Sequence, residues 1–208
     1  TRFKGAHDLI LQQFTNQRAD ILIGTQMIAK GLDLPLVTLV GVISADVGLG
    51  LPDYRAAERT FQILTQVAGR AGRGLLGGRV ILQTYNPEHY IIQAAAKHDY
   101  DEFFTRELRN RKELGYPPFR RLMRMVYRHT NPERAEAEAG IVAKQLAARL
   151  HREKPPATDL VGPTPCFFEK IAGEYRWQVI VRSPDPAALA RDKSFKGWHI
   201  DVDPTSTL

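Results

Sequence analysis

Residues 20–43, DILIGTQMIAKGLDLPLVTLVGVI, hold two short apolar runs around a glycine-bearing loop. Asp20 to Gly24 reads as a short buried strand. Val37 to Ile43 is a second run of strand length, rich in β-branched residues. Upstream, Leu9, Ile10, Leu11 and Phe14 recur at helical spacing within residues 4–17. Downstream, residues 53–71 read as a helix with Asp53 as its N-cap, and Arg79 to Tyr85 as a third strand. The order helix, strand, loop, strand, helix, strand predicts an α/β architecture on a parallel sheet.

Two further helices are expected over 88–98 and 99–114, the second strongly charged. Gly115-Tyr116-Pro117-Pro118 then breaks the chain, a glycine after a helix followed by a proline pair. This sets the expected boundary between a domain at 1–115 and one at 116–208. Beyond it, Phe119 to Arg128 alternates as a strand does. Residues 132–151 form an amphipathic helix with Ala135, Ala139, Val142, Leu146 and Leu150 on one stripe. Strands near 159–162, 166–171 and 175–182, a short helix over 186–192 and a strand over 198–202 complete a small α+β domain.

The bulk numbers exclude several classes. The 208 residues suffice for one large domain or two small ones with real cores. No apolar run approaches the length of a membrane span, and Thr1-Arg2-Phe3-Lys4 leads into no secretory apolar stretch. A single cysteine, Cys166, excludes an internal disulfide and a multi-cysteine zinc site within these residues. A cytoplasmic location is the default expectation. Net charge is +6 with a pI near 9.5. That suits an anionic partner such as nucleic acid, or simply a basic surface. Residues 1–115 carry 14 Lys and Arg against 12 Asp and Glu, and the remainder 15 against 11, so neither half is a basic tail.

The segment Gln66-Val67-Ala68-Gly69-Arg70-Ala71-Gly72-Arg73 carries the sharpest chemistry. Gln66, Arg70 and Arg73 sit at i, i+4 and i+7, within roughly 60° on a helix. Two guanidiniums on one face repel unless an anion lies between them. Gly69 and Gly72 let another backbone or a phosphate come close. The set can clamp a nucleotide's terminal phosphate. The alternative is two solvated arginines near a helix C-terminus, where they are favourable anyway. The loop Gly24 to Pro35 leaves the carboxyl end of the first strand, where open α/β sheets bind ligands. Thr25 offers a hydroxyl and the glycines offer backbone N–H groups to a nucleic-acid phosphate. Lys30 can equally be a solvated lysine, and Asp33 a turn carboxylate.

In the tail, Arg120, Arg124 and Arg128 share one face of the 119–128 strand. They can track a nucleic-acid backbone or form the charged solvent face of an edge strand. Trp177 and Trp198 read as core rather than stacking platforms, and Cys166 as a small core residue. The histidines show no metal-ligand spacing, so no metal site is assigned.

Taken together, GTQMIAKGLDLP and QVAGRAGR resemble motifs V and VI of superfamily 2 helicases. The chain resembles more closely the PriA family, the primosomal protein N′ replication-restart helicases. DILIGTQMIAKGLDLPLVTLVGVI, DYRAAERTFQILTQVAGRAGRG, QTYNPEH, ELGYPPFRRL and YRWQVIVRSPDP with DVDP carry that likeness over essentially the whole chain. The resemblance implies an ATP-dependent 3′-to-5′ DNA helicase that recognises stalled or branched forks and supports primosome assembly. It implies that Arg70 and Arg73 reach the ATP phosphates, with Arg73 as arginine finger and Gln66 orienting them. Gly31 and Asp33 would lie on the nucleotide side. Gly24, Thr25, Gln26 and Lys30 would meet single-stranded DNA, with Asp33 coupling that contact to the nucleotide. Residues 1–115 would be the C-terminal part of the second RecA-like lobe. The tail would be a DNA-binding domain of S10-like fold. Branched and single-stranded DNA, single-strand-binding protein and other primosome proteins would be partners.

Two departures temper this. The chain has no GxxxxGK[ST] loop and no DExH carboxylate pair, and motif VI cannot replace that loop. ATP and Mg²⁺ would therefore be held mainly by an upstream lobe, zinc by an upstream cysteine-rich segment, and the chain alone is expected not to hydrolyse ATP. The stretch between Pro186 and Trp198 is also shorter than the family's, so no residue is carried over for single-strand-binding protein. A non-catalytic DNA-binding scaffold and a RecG-like branch-migration motor are the rival readings.

Overall fold

The computed structural model describes residues 6–25, 34, 36–69, 78–191 and 194–208. They fall into two compact units: Thr1–Leu49 with Glu58–Phe103, and Gly50–Ala57 with Phe104–Leu208. This division differs from the expected break at Gly115–Pro118. The physical reason is aromatic packing within the second unit. Tyr54 stacks on Tyr116 with ring centroids 5.9 Å apart, and the Arg111 guanidinium lies over Tyr54 at 5.8 Å. These contacts draw Gly50–Ala57 and the distal part of the charged helix into the tail.

In the first unit, α1 spans Ala6–Thr15, β1 Leu39–Val42, α2 Ala56–Ala68, β2 Arg79–Leu82, α3 Tyr90–Lys97 and α4 Tyr100–Leu114, with α2 and α4 each crossing the unit boundary. β1 and β2 pair in parallel, Leu39 opposite Arg79 through Val42 opposite Leu82. The parallel sheet expected from the sequence is thus present among the described residues as two strands. The expected strand at 20–24 is not one of them. Residues 21–25 have no regular structure, and Ile23 is 88 % exposed. A short apolar run becomes a strand only where a neighbour completes its ladder, and β1 pairs with β2 alone among the described strands.

The helices of this unit pack as their apolar spacing requires. Phe61 and Leu64 of α2, Ile91, Ile92, Ala94 and Ala95 of α3 and Phe103 of α4 are buried. The Phe61 and Phe103 rings stack with centroids 4.1 Å apart and planes 7° from parallel. Gly48 sits so close to α2 that an added Cβ would fall 2.3 Å from the Thr60 hydroxyl. The helix expected from residue 53 begins at Ala56, so Asp53 stands ahead of its N-cap position and instead forms an Asx turn, its carboxylate accepting from the Arg55 N–H at 2.9 Å.

The second unit carries β3 (Arg121–His129), α5 (Pro132–Glu153), β4 (Asp159–Ile171), β5 (Glu174–Ser183) and β6 (Trp198–Val202). They build an antiparallel sheet in the order β4-β5-β3-β6. The expected helix over 186–192 is a 3₁₀ turn at Pro186–Leu189. α5 starts on Asn131, whose side chain accepts the Arg134 N–H at 2.7 Å, with Pro132 in the first turn. Its expected stripe faces the sheet. Ala139, Val142, Ala143 and Leu146 are buried, against Met123, Met125, Val179 and Val181. Leu150 and Trp198 pack on the edge of this core, as the core reading of Trp198 requires.

β4 departs from its partner's register twice. Gly162 permits the first irregularity. Its φ is +99°, and a Cβ there would meet the Gln178 carbonyl at 2.8 Å. At the second, Cys166–Glu169 bulge out between the pairs Pro165–Trp177 and Lys170–Tyr175.

Candidate functional site

α2 is the scaffold for the arginine motif. Its apolar face is clamped through Phe61 and Leu64, while Gln66 is half-buried in its last turn. The Gly69 N–H donates to the Thr65 carbonyl at 3.0 Å, carrying the helical pattern one residue past Ala68. Arg70 and Arg73 follow directly, but they lie outside the described residues, as do Gln26, Lys30, Gly31 and Asp33. Gly24 and Thr25 are described, exposed and without regular structure. Of the expected phosphate clamp, then, the structure describes Gln66 and its packed helix.

The carboxyl ends of β1 and β2 form a fixed turn that the sequence did not single out. The Ala45 N–H donates to the Gln83 carbonyl, and the Gln83 N–H to the Val42 carbonyl, each at 2.9 Å. Beyond them the Asp46 carboxylate accepts from the Thr84 hydroxyl at 2.6 Å and from the Tyr85 N–H at 2.9 Å. The Thr84 hydroxyl oxygen in turn accepts from the Asn86 N–H at 3.0 Å. The Thr84 hydroxyl, followed by the Tyr85 N–H, holds the Asp46 carboxyl below the usual carboxylate range. Burial pushes the nearby His89 imidazole down, opposed by the Asp46 charge. The turn leaves Tyr85 91 % exposed at the sheet's carboxyl end, where parallel α/β sheets present ligand-binding groups. Asp46 and Thr84 are 38 residues apart, so no local motif could have paired them.

In the tail, the expected solvent-facing arginine row does not form. β3 is an inner strand, so an edge-strand face does not describe it. Leu122 and Val126, which share the face, are buried. Arg120 precedes the strand, and its Nη1 donates to Asp159 at 2.6 Å. Arg124 is only 8 % exposed. Its Nε donates to the Gln178 side-chain Oε1 at 2.7 Å and its Nη1 to the Leu208 carbonyl at 2.6 Å, with Nη2 3.7 Å from the Cys166 sulfur. Arg128 alone of the three is exposed.

Beside Arg128 lies a cation that strand alternation did not reveal. Arg176 is its register partner on β5 and is 8 % exposed, beneath the β4 bulge. Its Nη1 donates to the Phe168 carbonyl at 3.4 Å, and its Nε has no hydrogen-bond partner among the described residues. Burial pushes the Cys166 thiol up, opposed by the charges of Arg124, Arg176 and Arg128. On the outside of the bulge, Phe167 and Phe168 are exposed and meet edge-to-face at 5.0 Å. Lys170 lies 4.6 Å over the Tyr175 ring. Lys170 pairs with Tyr175, the β5 neighbour of Arg176, so it lies on the opposite face of the sheet from Arg128. Among the described residues no cluster of three or more His, Cys, Asp or Glu could hold a metal ion. No described helix is long and apolar enough to cross a membrane.

Two family models match successive parts of the chain. Residues 4–74 match the helicase conserved C-terminal domain family, and residues 112–205 match the primosomal protein N C-terminal domain family. The chain belongs to the PriA family. It is 47% identical over 214 residues to the replication restart protein PriA of Synechocystis, covering 99% of this chain and 25% of that protein. The Bacillus subtilis protein of the same name is 46% identical over 190 residues, covering 91% and 23%. That of Treponema pallidum is 40% identical over 208 residues, covering 95% and 31%. The chain therefore spans about a quarter of the length of these relatives and corresponds to their C-terminal part.

Proposed function

We propose that this chain supplies the C-terminal part of an ATP-dependent 3′-to-5′ DNA helicase that reopens stalled or branched forks in replication restart. The supporting observation is α2: a helix locked by the Phe61–Phe103 stack that brings Gln66 to the threshold of Gly69-Arg70-Ala71-Gly72-Arg73. A rigid support is what an arginine finger needs, because its contribution depends on placement at the developing phosphoryl charge. In this reading Arg73 is the finger, Arg70 its partner on the phosphates, and Gln66 orients them. Gly31 and Asp33 lie on the nucleotide side. Gly24, Thr25, Gln26 and Lys30 hold single-stranded DNA.

The first unit is then part of a RecA-like lobe and the second an S10-like DNA-binding domain. Gln66 is the described residue of the nucleotide-facing set, and it can only orient a triphosphate held elsewhere. The β- and γ-phosphates and Mg²⁺ belong to an upstream lobe, and zinc to an upstream cysteine-rich segment. On the tail, the exposed Arg128 faces DNA, while Arg120 and Arg124 serve the domain from within. Branched DNA, single-strand-binding protein and other primosome proteins are the partners, in the cytoplasm.

The complete protein tests the reading. Arg73→Ala should lower DNA-stimulated ATP hydrolysis by about 10³-fold or more, with DNA binding within a few-fold of the parent. Undiminished hydrolysis in that variant would overturn the assignment. The chain alone should bind single-stranded DNA weakly, more weakly as salt rises, without turnover.

A further inference from the structure

The arginines of the tail sheet differ in what answers their charge. Arg120 and Arg182 share the Asp159 carboxylate, Arg120 through Nη1 to Oδ2 at 2.6 Å and Arg182 through Nε to Oδ1 at 2.7 Å. Arg121 pairs with Asp203. Arg124 donates to the Gln178 Oε1 and to the Leu208 carbonyl. Arg128 and Arg176 form no ion pair among the described residues. Glu169 in the adjoining bulge and Asp201, opposite Arg124 on β6, do not supply one.

These two arginines are cross-strand neighbours. Arg128 on β3 is in register with Arg176 on β5, so both side chains rise from one face of the sheet. Like charges in directly opposed positions repel, and a buried charge is costly unless it is paired. Arg176 is buried, and its Nη1 donates to the Phe168 carbonyl at 3.4 Å, a long hydrogen bond. Its Nε, also enclosed, has no partner among the described residues. Nε and Nη2 form the edge on which a guanidinium takes oxygens side by side, and that edge of Arg176 meets no acceptor among the described residues. Its cover, Cys166–Glu169, lies outside the β4–β5 ladder, so it can shift without breaking a ladder bond. Arg128 stands exposed beside it.

We infer that Arg128 and Arg176 clamp a single phosphodiester of the DNA backbone, each guanidinium taking one of its two non-bridging oxygens. Asp159 sets the precedent within this sheet, giving one oxygen to Arg120 and the other to Arg182. Residues 116–208 carry 15 Lys and Arg against 11 Asp and Glu, a balance that favours a polyanion. Arg128 meets the phosphate at the surface, and Arg176 closes on it from beneath the bulge. The inference deepens the DNA reading of the tail and rests on it.

The experiment uses the complete protein with Arg128→Gln, Arg176→Gln and the two combined, and a single-stranded oligo-dT as the probe. Losing one neutralised phosphate of a single strand lowers the slope of log affinity against log salt by about 0.7. Each single variant should show a loss of up to that size, and the double variant no more than that one phosphate's worth. Arg176→Lys keeps the charge beneath the bulge without the two-oxygen edge. At parental Tm it should bind the oligonucleotide at least about threefold more weakly, which separates the clamp from a folding defect in Arg176→Gln. A parental slope in Arg128→Gln, parental affinity in Arg176→Lys, or a double-variant loss equal to the sum of two separate phosphates overturns the clamp. A Tm rise with inorganic phosphate or polyglutamate that needs both arginines, with the DNA slope unmoved, makes the occupant a free anion or an acidic peptide and overturns the DNA assignment. If the parent itself shows no salt-dependent binding of single-stranded DNA, the DNA reading fails first and the clamp falls with it.

Discussion

The two units solve the burial of a sheet in different ways. In the second, α5 covers one face of an antiparallel sheet, and Met123, Met125, Val179 and Val181 are shut from solvent. The other face near β3 is closed as well, by the β4 bulge over Arg176 and by the Leu208 carbonyl on Arg124. In the first, the parallel pair β1 and β2 leaves Leu39 and Ile81 exposed, with Ile43 exposed just past β1. Parallel sheets are normally covered on both faces, and this chain matches only about a quarter of the length of its relatives. The contrast teaches that the tail carries its stability within itself, whereas the sheet of the first unit exposes the apolar residues that its type usually buries.

The largest effect expected from this contrast is in the tail core. Leu146→Ala should cost about 2–5 kcal/mol, while Ile81→Ala, on the half-exposed parallel pair, should cost at most about 1 kcal/mol. Both tryptophans, Trp177 and Trp198, lie in the second unit, so their fluorescence reports that unit alone. In urea, far-UV circular dichroism should begin to fall before the tryptophan signal does. Coincident transitions, or equal costs for the two substitutions, would break the contrast.

Arg124 and Arg128 sharpen it within a single strand. Arg124→Met removes the donor to two acceptors, Gln178 and Leu208, and should cost about 2–3 kcal/mol. Arg128→Met should stay within about 0.5 kcal/mol of the parent and instead flatten the salt dependence of DNA binding. A reversal of these two phenotypes would restore the solvent-facing row that strand alternation suggested.

That pair also shows how far the sequence can be read. Alternation correctly assigns Arg124 and Arg128 to one face, but it cannot say whether the face is covered. The covers come from far along the chain, Cys166 lying 42 residues and Leu208 84 residues from Arg124. α5 was legible because a helix reports its buried stripe locally, at Ala135, Ala139, Val142 and Leu146. The run at 20–24 was not, since a strand also needs a neighbour's ladder. Of the candidate site, Gln66 and its helix could be read from period and capping. The Asp46–Thr84 turn could not, because it exists only once β1 and β2 have paired.

A smaller effect tests the capping of α5. Asn131→Ala should cost about 1 kcal/mol, seen in the tryptophan transition, because it leaves the Arg134 N–H without its side-chain acceptor. A shift confined to the circular dichroism signal, with the tryptophan transition unmoved, would mean that the cap does not support the tail core.

The smallest effect concerns Asp46, and there pH is the sharper probe. Its carboxyl titrates below the usual range because the charged form accepts from Thr84 and from the Tyr85 N–H. A carboxylate lowered in this way contributes stability that is fully present above the ordinary value of about 4. The contribution is lost as pH falls through the lowered folded value. Asp46→Asn should therefore separate from the parent in Tm near neutrality, and the gap should close as the solution is made acid. His89 supplies an independent check by NMR. Burial already depresses its imidazole, and the Asp46 charge opposes that depression. In Asp46→Asn the imidazole should titrate lower still. A Tm gap that ignores pH, or a His89 titration that does not move, would mean that the turn is held by shape rather than by the charge at the end of the parallel strands.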